Sequence, residues 1–489
     1  MIDRVKPYPA YKDSGVEWLG EVPEHWQVRS LGTFGRFFKG SGGTKADETE
    51  QGVLCVRYGD LYTRHQFHIR ESKACVAPDR AVAYTPVRYG DVLFAGSGET
   101  LEEIGKSAVN LIRGTAVCGG DVIVFRPTID VDAEFIGWST DCQQAAFQKA
   151  RMGRGITVMH IYSSDLKYLA VPLPPLPEQT AIARFLDDAD RRIRRYIRAK
   201  ERLIELLEEE RQATIHETVT GRIDVRTGQP YPTYKDSGVE WLGEVPEHWE
   251  LRRLKHTVSF IGGGTPSKAN TSFWRGHVPW VSPKDMTGPR IDDTADHISD
   301  AAVTASSTNV VAPGAVLIVV RSGILRRRIP VAINTVSMAL NQDMKALRPK
   351  GRIAKSEYLR ELIRGNESSF LGEWRKHGAT VESLEHDLLA NSPLPLPPLP
   401  EQTAIARFLD DANRRISARR ATAERQIALL REYRTRLIAD VVTGKLDVRE
   451  AAAKLLKVDP IARGNGGDTI QVQPDLRTAQ YGIVKEASP

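Results

Sequence analysis

The amino-acid sequence predicts an α+β protein organised as a pseudo-two-fold internal repeat, with two globular regions joined by two long helices. Three features predict it. A leader block occurs twice without a changed letter, a proline-rich block that opens a long helical pattern also occurs twice, and both recur at one spacing.

Tyr11 to Trp26 reads YKDSGVEWLGEVPEHW, and Tyr234 to Trp249 reads the same, an offset of 234 − 11 = 223. Pro172 to Ala189, PLPPLPEQTAIARFLDDA, returns at Pro395 to Ala412 with the same offset. Val219 to Arg226 is echoed by Val442 to Arg449. Such a period is far longer than one turn of a solenoid, so each copy is domain-sized. The chain parses as a leader over 1–26, a variable region over 27–171, a helical spacer over 172–221, a linker with the second leader over 222–249, a second variable region over 250–394, a second spacer over 395–444 and a tail over 445–489. The tail is polar from about Glu450, with Gly464, Gly466 and Gly467 close together, and is expected to be partly mobile. Between the matched blocks the copies share only short echoes, such as Gly90-Asp91-Val92-Leu93 with Gly314-Ala315-Val316-Leu317. A fixed scaffold carrying divergent regions suits one task performed on two different targets, although drift of one copy gives the same pattern.

The helices follow from the proline-rich blocks. Pro172, Pro174, Pro175 and Pro177 favour an extended polyproline lead-in. Pro177-Glu178 then suits a first turn, where proline lacks no needed N–H and an acid meets the positive end of the dipole. No Pro or Gly follows from Thr180 to about Thr218, and Gly221 is the stop signal; the second copy runs from Thr403 to about Val442 and stops at Gly444. Ile182, Leu186, Ala189, Ile193 and Tyr196, then Ile204, Leu207 and Ile215, form an apolar seam. Ile405, Leu409, Ala412, Ile416, Ile427, Leu430 and Ile438 form its counterpart. One such helix alone is unstable in water, so the two stripes are expected to bury each other. The spacing leaves parallel and antiparallel pairing open. The arginine run Arg191, Arg192, Arg194, Arg195 and Arg198 reads as a solvated face before it reads as a phosphate contact.

The chain has 489 residues with 68 Lys plus Arg against 62 Asp plus Glu, a net charge of +6. Hydrophobic residues make up 41% and charged residues 27%, which excludes disordered and collagen-like classes. No apolar run is long enough for a transmembrane helix, and Met1 to Pro7 lacks the apolar stretch of a secretory signal, so no membrane partner and a cytoplasmic location are expected. Cys55, Cys75, Cys118 and Cys142 are too sparse for a disulfide scaffold and lack the paired spacing of a zinc site, so four reduced thiols and no metal are expected.

Each variable region opens on a glycine cluster with hydroxyl and basic residues: Lys39, Thr44 and Lys45 in the first, Thr265, Ser267 and Lys268 in the second. Such turns bring backbone N–H groups to phosphate oxygens, though a plain glycine turn looks the same. Basic and aromatic residues follow: Arg57 and Tyr58, then Arg151 and Arg154, in the first region; Trp280 and Lys284, then Arg321, Arg326, Arg375 and Lys376, in the second. Lys and Arg neutralise phosphates and Arg reads base edges, which makes these the candidate DNA contacts.

Catalytic motifs fail. Glu103 to Ser107 resembles the end of a P-loop, but Thr100 stands where its first glycine belongs. Phe38 to Gly42 and Phe260 to Gly264 fit F-x-G-x-G, but no N-P-P-[YF] or D-P-P-Y follows, so a standalone methyltransferase lacks its amino-group site. Asp60 with Glu71-Ser72-Lys73 mimics a nuclease trio that the second copy does not repeat. No catalytic residue is expected. A non-catalytic protein scaffold is the other alternative, separated from a DNA reader by salt-dependent duplex binding.

Taken together, the leader YKDSGVEWLGEVPEHW, Gly263 to Ser267 and the P-L-P-P-L-x-E-Q helix start resemble the specificity subunit of type I restriction–modification enzymes, over roughly residues 1–449 and twice in order. The resemblance implies a bacterial protein in which each variable region is a target recognition domain reading one half of a split site in double-stranded DNA. It implies that the two helices pack as an antiparallel coiled coil that fixes the gap and, with the leaders, docks two methyltransferase subunits using S-adenosylmethionine. Two restriction subunits using ATP and Mg are the further partners implied, and the specificity chain itself holds no cofactor. One departure is Gly43-Thr44-Lys45, where the second copy has Gly264-Thr265-Pro266-Ser267.

Overall fold

The two variable regions, so different in sequence, fold on the same sheet. In the computed structural model, which describes residues 5–43, 45–376 and 380–458, the first region forms a five-stranded sheet in the order Gly35–Lys39, Val122–Pro127, Val92–Ala95, Ser107–Asn110, Phe67–Ile69. The second repeats it as Val258–Gly262, Met344–Pro349, Val316–Val319, Val331–Asn334, Arg290–Ile291. In both, three antiparallel pairings are followed by one parallel pairing at the far edge. A second sheet accompanies each, five-stranded in the first region and four-stranded in the second. The central strands Val92–Ala95 and Val316–Val319 are buried at every position, as strands covered on both faces must be.

The described residues fall into two compact units, one up to Arg195 together with the residues from Leu429 on, the other Tyr196–Ala428. The two long helices are Leu176–Val219 and Leu399–Val442. Both carry Pro177 or Pro400 in the first turn, as the proline spacing predicts, with the preceding leucine as the first helical residue. Pro172 is not in a polyproline lead-in. It lies in the strand Ala170–Leu173, paired antiparallel with Gln27–Ser30, and Pro393–Leu396 pairs likewise with Glu250–Arg253. A two-stranded ribbon has a free edge on each strand, so proline costs no ladder bond there. These ribbons tie both ends of each variable region to the start of a helix.

One buried carboxylate in each unit explains why the leader and the helix start repeat so faithfully. Glu178 is 6% exposed and accepts from Tyr8 Oη, from Trp26 Nε1 at 3.1 Å and pairs with His25 Nε2 at 2.8 Å. In the other unit Glu401 takes the same place with Tyr231, Trp249 Nε1 at 3.0 Å and His248 Nε2 at 2.8 Å. An acid in a first helical turn also meets the helix dipole. The far ends of the helices are held by the same leaders. Tyr234 Oη donates to Gly221 O at 3.1 Å, and Tyr11 Oη donates to Gly444 O at 3.2 Å. Gly221 and Gly444 both have φ +78°, and a Cβ there would meet Pro246 or Pro23 at 2.3 Å, so only glycine serves.

The start of the tail is the helix Arg449–Val458, with Ala452 buried and Arg449 lying over the Tyr8 ring at 5.2 Å. The glycines Gly464, Gly466 and Gly467 lie outside the described residues. The four cysteines are free and buried. Burial pushes the Cys118 thiol up to about 12 and Cys142 up to about 11, so neither is a nucleophile at neutral pH. Among the described residues no helix is long and apolar enough to cross a membrane.

Candidate nucleic-acid interface

In each glycine cluster one backbone N–H is taken up within the fold. Gly40 N–H donates to Val122 O at 2.7 Å and Gly264 N–H to Leu340 O at 2.9 Å, so these donors are already committed. A Cβ at Gly40 would come within 2.0 Å of Gly119 O, and one at Gly263 within 2.1 Å of Asn341 O. Glycine is used here because two backbones cross closely. Thr44 lies outside the described residues, as does the Lys45 side chain. Lys39 ends its strand and is exposed, as are Ser267 and Lys268. Thr265 is half-buried and bonded to Gln342.

Trp280 is a correction. It is 4% exposed, donates its indole N–H to Gly264 O at 3.1 Å and packs edge-on against Trp274, so it is core and cannot stack on a base. It lies in the strand Val278–Val281 among valines, where both Trp280 and Val281 are buried. Arg57 is likewise largely internal: Nη1 pairs with Glu48 at 2.8 Å, and Nη2 is buried without a partner. Beside it Tyr58 is 45% exposed. Asp60, whose spacing only mimics a nuclease trio, caps the short helix Tyr58–Thr63 and pairs with Arg64 at 3.3 Å. No three His, Cys, Asp or Glu gather as metal ligands among the described residues.

Among the remaining basic candidates Arg375 is half-buried, whereas Arg151, on the helix Gln143–Met152, and Arg154, Lys284, Arg321, Arg326 and Lys376 are exposed. Arg151 covers the Phe147 ring at 5.9 Å, and Arg154 pairs with Asp165 at 2.9 Å. In the second region Lys284 pairs with Asp296 at 2.8 Å, Arg321 with Asp343 at 3.7 Å, Arg326 with Glu382 at 3.3 Å and Lys376 with Glu385 at 3.5 Å. Arg375 joins them through Leu325 O at 2.8 Å and Glu382 at 3.5 Å. The structure thus gathers Arg321, Arg326, Arg375 and Lys376 around one loop, and leaves Lys284 apart from them in these ion pairs.

Ile182, Leu186, Ile193, Leu207, Ile405, Leu409, Ile416 and Ile427 are buried. Ile204 and Leu430 are half-buried, and Tyr196, expected in the stripe, is 58% exposed. Ile405 and Leu409 belong with Ile215, Val219 and Trp249 to the hydrophobic core of their unit, so the helix ends are buried partly by the domain itself.

A family model described as the type I restriction modification DNA specificity domain matches residues 23–206 and 246–425. The chain belongs to this type I specificity family. It is 37% identical over 194 residues to the type I restriction enzyme EcoR124I/EcoR124II specificity subunit of Escherichia coli, and it spans less than half of that relative, 46% of its length. Two solved structures share the fold. One, from work on complex assembly and conformational transition of the type I restriction–modification system, has TM-score 0.66 at 20% identity and covers 86% of this chain and 98% of that one. The other, the HsdS subunit from Thermoanaerobacter tengcongensis, has TM-score 0.54 at 20% identity and covers 87% of this chain and 98% of that one. The chain shares with them mixed strand and helix content in two repeated domains. The buried links that sequence reading missed, Glu178 with His25 and Glu401 with His248, were signalled by polar residues repeated at the offset of the scaffold.

Proposed function

We propose that this chain is the sequence-reading subunit of a type I restriction–modification complex. The observation that carries the proposal is one sheet framework present twice, bearing divergent loops on repeated leaders and helices, in a chain of this family. Each target recognition domain reads one half of an asymmetric bipartite site in double-stranded DNA. The long helices pair antiparallel and set the gap between halves. The repeated helix and leader surfaces dock two methyltransferase subunits, and restriction subunits complete the complex. Catalysis belongs to those partners, which bring S-adenosylmethionine, ATP and Mg.

Three hydrogen bonds support antiparallel pairing. Arg434, near the end of the second helix, reaches Asp190, near the start of the first. In the other unit Arg211 Nε, late in the first helix, donates to Asn413 Oδ1, early in the second, at 3.0 Å, and Arg419 Nη1, midway along the second, donates to Glu210 Oε2, late in the first, at 3.4 Å. The test is sequencing of modified adenines in host DNA. A split motif with two unlike halves at a fixed gap supports the proposal, whereas one contiguous motif, or methylation by the purified chain alone, contradicts it.

A further inference from the structure

Two loops in equivalent positions carry opposite charge. In the first domain the chain turns from Val92–Ala95 to Ser107–Asn110, with Phe94 paired to Ser107. In the second it turns from Val316–Val319 to Val331–Asn334, with Ile318 paired to Val331. The loops have equal length and close on the same bond: Ala95 N–H to Lys106 O at 2.9 Å, Val319 N–H to Pro330 O at 3.2 Å. Each runs beside the segment that precedes its long helix, through Ser97 with His160 in one and Arg321 with Ser383 in the other. Position for position, Glu102 and Glu103 stand where the second domain has Arg326 and Arg327. The first loop adds Glu99 and the second adds Arg328, all exposed.

We propose that the loop Ser322–Arg328 is a phosphate clamp of the second domain, and that the first domain's loop stays off the DNA backbone. The inference rests on the DNA-reading proposal and goes beyond it, because it makes one half-site the electrostatic anchor. Arg321, Arg326, Arg327, Arg328, Arg375 and Lys376 outnumber Asp343, Glu367, Glu382 and Glu385 around this loop. Arg327 and Arg328 form no ion pair among the described residues. The internal pairs of Arg321, Arg326 and Arg375 are long, 3.3 to 3.7 Å. Exposed pairs of this kind contribute little, so a phosphate displaces them at small cost. Arg375 holds the loop's shape by donating to Leu325 O, while Leu325 itself is buried. The guanidinium groups are therefore presented by an anchored loop, which lowers the ordering cost of binding. The first loop, with Glu99, Glu102 and Glu103 facing solvent, repels phosphate.

The test is the salt dependence of binding to a short random-sequence DNA duplex. It uses the full chain purified from its host with its bound partners, between about 50 and 200 mM salt. Each lost phosphate contact flattens the log–log slope by about 0.9. R326Q/R327Q/R328Q is expected to flatten it by about 2 to 3, and R327Q/R328Q, which leaves the Arg326–Glu382 pair intact, by about 2. E99Q/E102Q/E103Q is expected to leave the slope within about one contact of the parent. All these side chains are exposed, and an unchanged melting transition verifies folding. Parent-like slopes in both arginine variants, or equal flattening in the glutamate variant, overturn the clamp alone. A parent complex without salt-dependent affinity overturns the DNA-reading proposal as well.

Discussion

At Glu178 and Glu401 a single carboxylate joins a leader to a helix, and the consequences are measurable. Replacing Glu178 by Ala strands the buried Tyr8 hydroxyl and Trp26 indole, at a cost of about 2–4 kcal/mol. E178A is expected to lower the melting transition of one unit and E401A that of the other; equal effects on both transitions from either variant would argue against two separate clamps. Burial, then the bond to the carboxylate, raises Tyr8 and Tyr231 above the ordinary tyrosine range. A group raised on folding contributes its stability below its unfolded pKa and loses it as pH climbs. Both leaders should therefore hold up to about pH 10 and loosen above it, read as hydrogen exchange in Tyr11–Trp26 and Tyr234–Trp249. At Gly221, G221A places a Cβ against Pro246 with φ +78°, so it should destabilise by about 2 kcal/mol in thermal melts. These residues were partly legible in the sequence. Glu178 read as a dipole partner at a helix start, but its three donors lie over 150 positions away, a distance at which spacing gives no contact. Trp280 misled for a local reason: an aromatic beside basic residues reads alike whether it faces solvent or core.

At the scale of elements, the helices were the most legible feature and the sheets the least. Proline, a long run free of breakers and a terminal glycine bound a helix locally, so Leu176–Val219 and Leu399–Val442 follow from neighbouring residues. The strands are mostly two to six residues long and pair across long loops, and each parallel pairing at the sheet edge joins segments far apart in sequence. Two short echoes were the visible traces: Gly90 to Leu93 with Gly314 to Leu317 runs into the central strand, and Arg126-Pro127 with Arg348-Pro349 ends the strand beside it. The helices also carry the spacing prediction. Adding one turn, about four residues, within Glu201–Thr214 should change the required gap between half-sites and leave the half-site sequences as they were. An unchanged gap in the mapped motif would remove the helices from that role.

For the whole molecule, the repeat does more than duplicate a domain. In one unit the second leader holds the end of the first helix, and in the other the first leader holds the end of the second helix, so the two copies exchange supports in a closed order. Constancy of leaders and helix starts follows from that mutual dependence, since a change in one block must suit a partner far along the chain. The loops bear no such constraint, and the equivalent turns at Glu102 and Arg326 have diverged to opposite charge on one framework. What a chain with this plan should do is read two unlike half-sites independently. The most direct measurement is to exchange residues 27–171 for the corresponding region of another specificity chain and map the methylated adenines in host DNA. One half-site should change while the other half-site and the gap persist; a motif altered in both halves would contradict two independent readers.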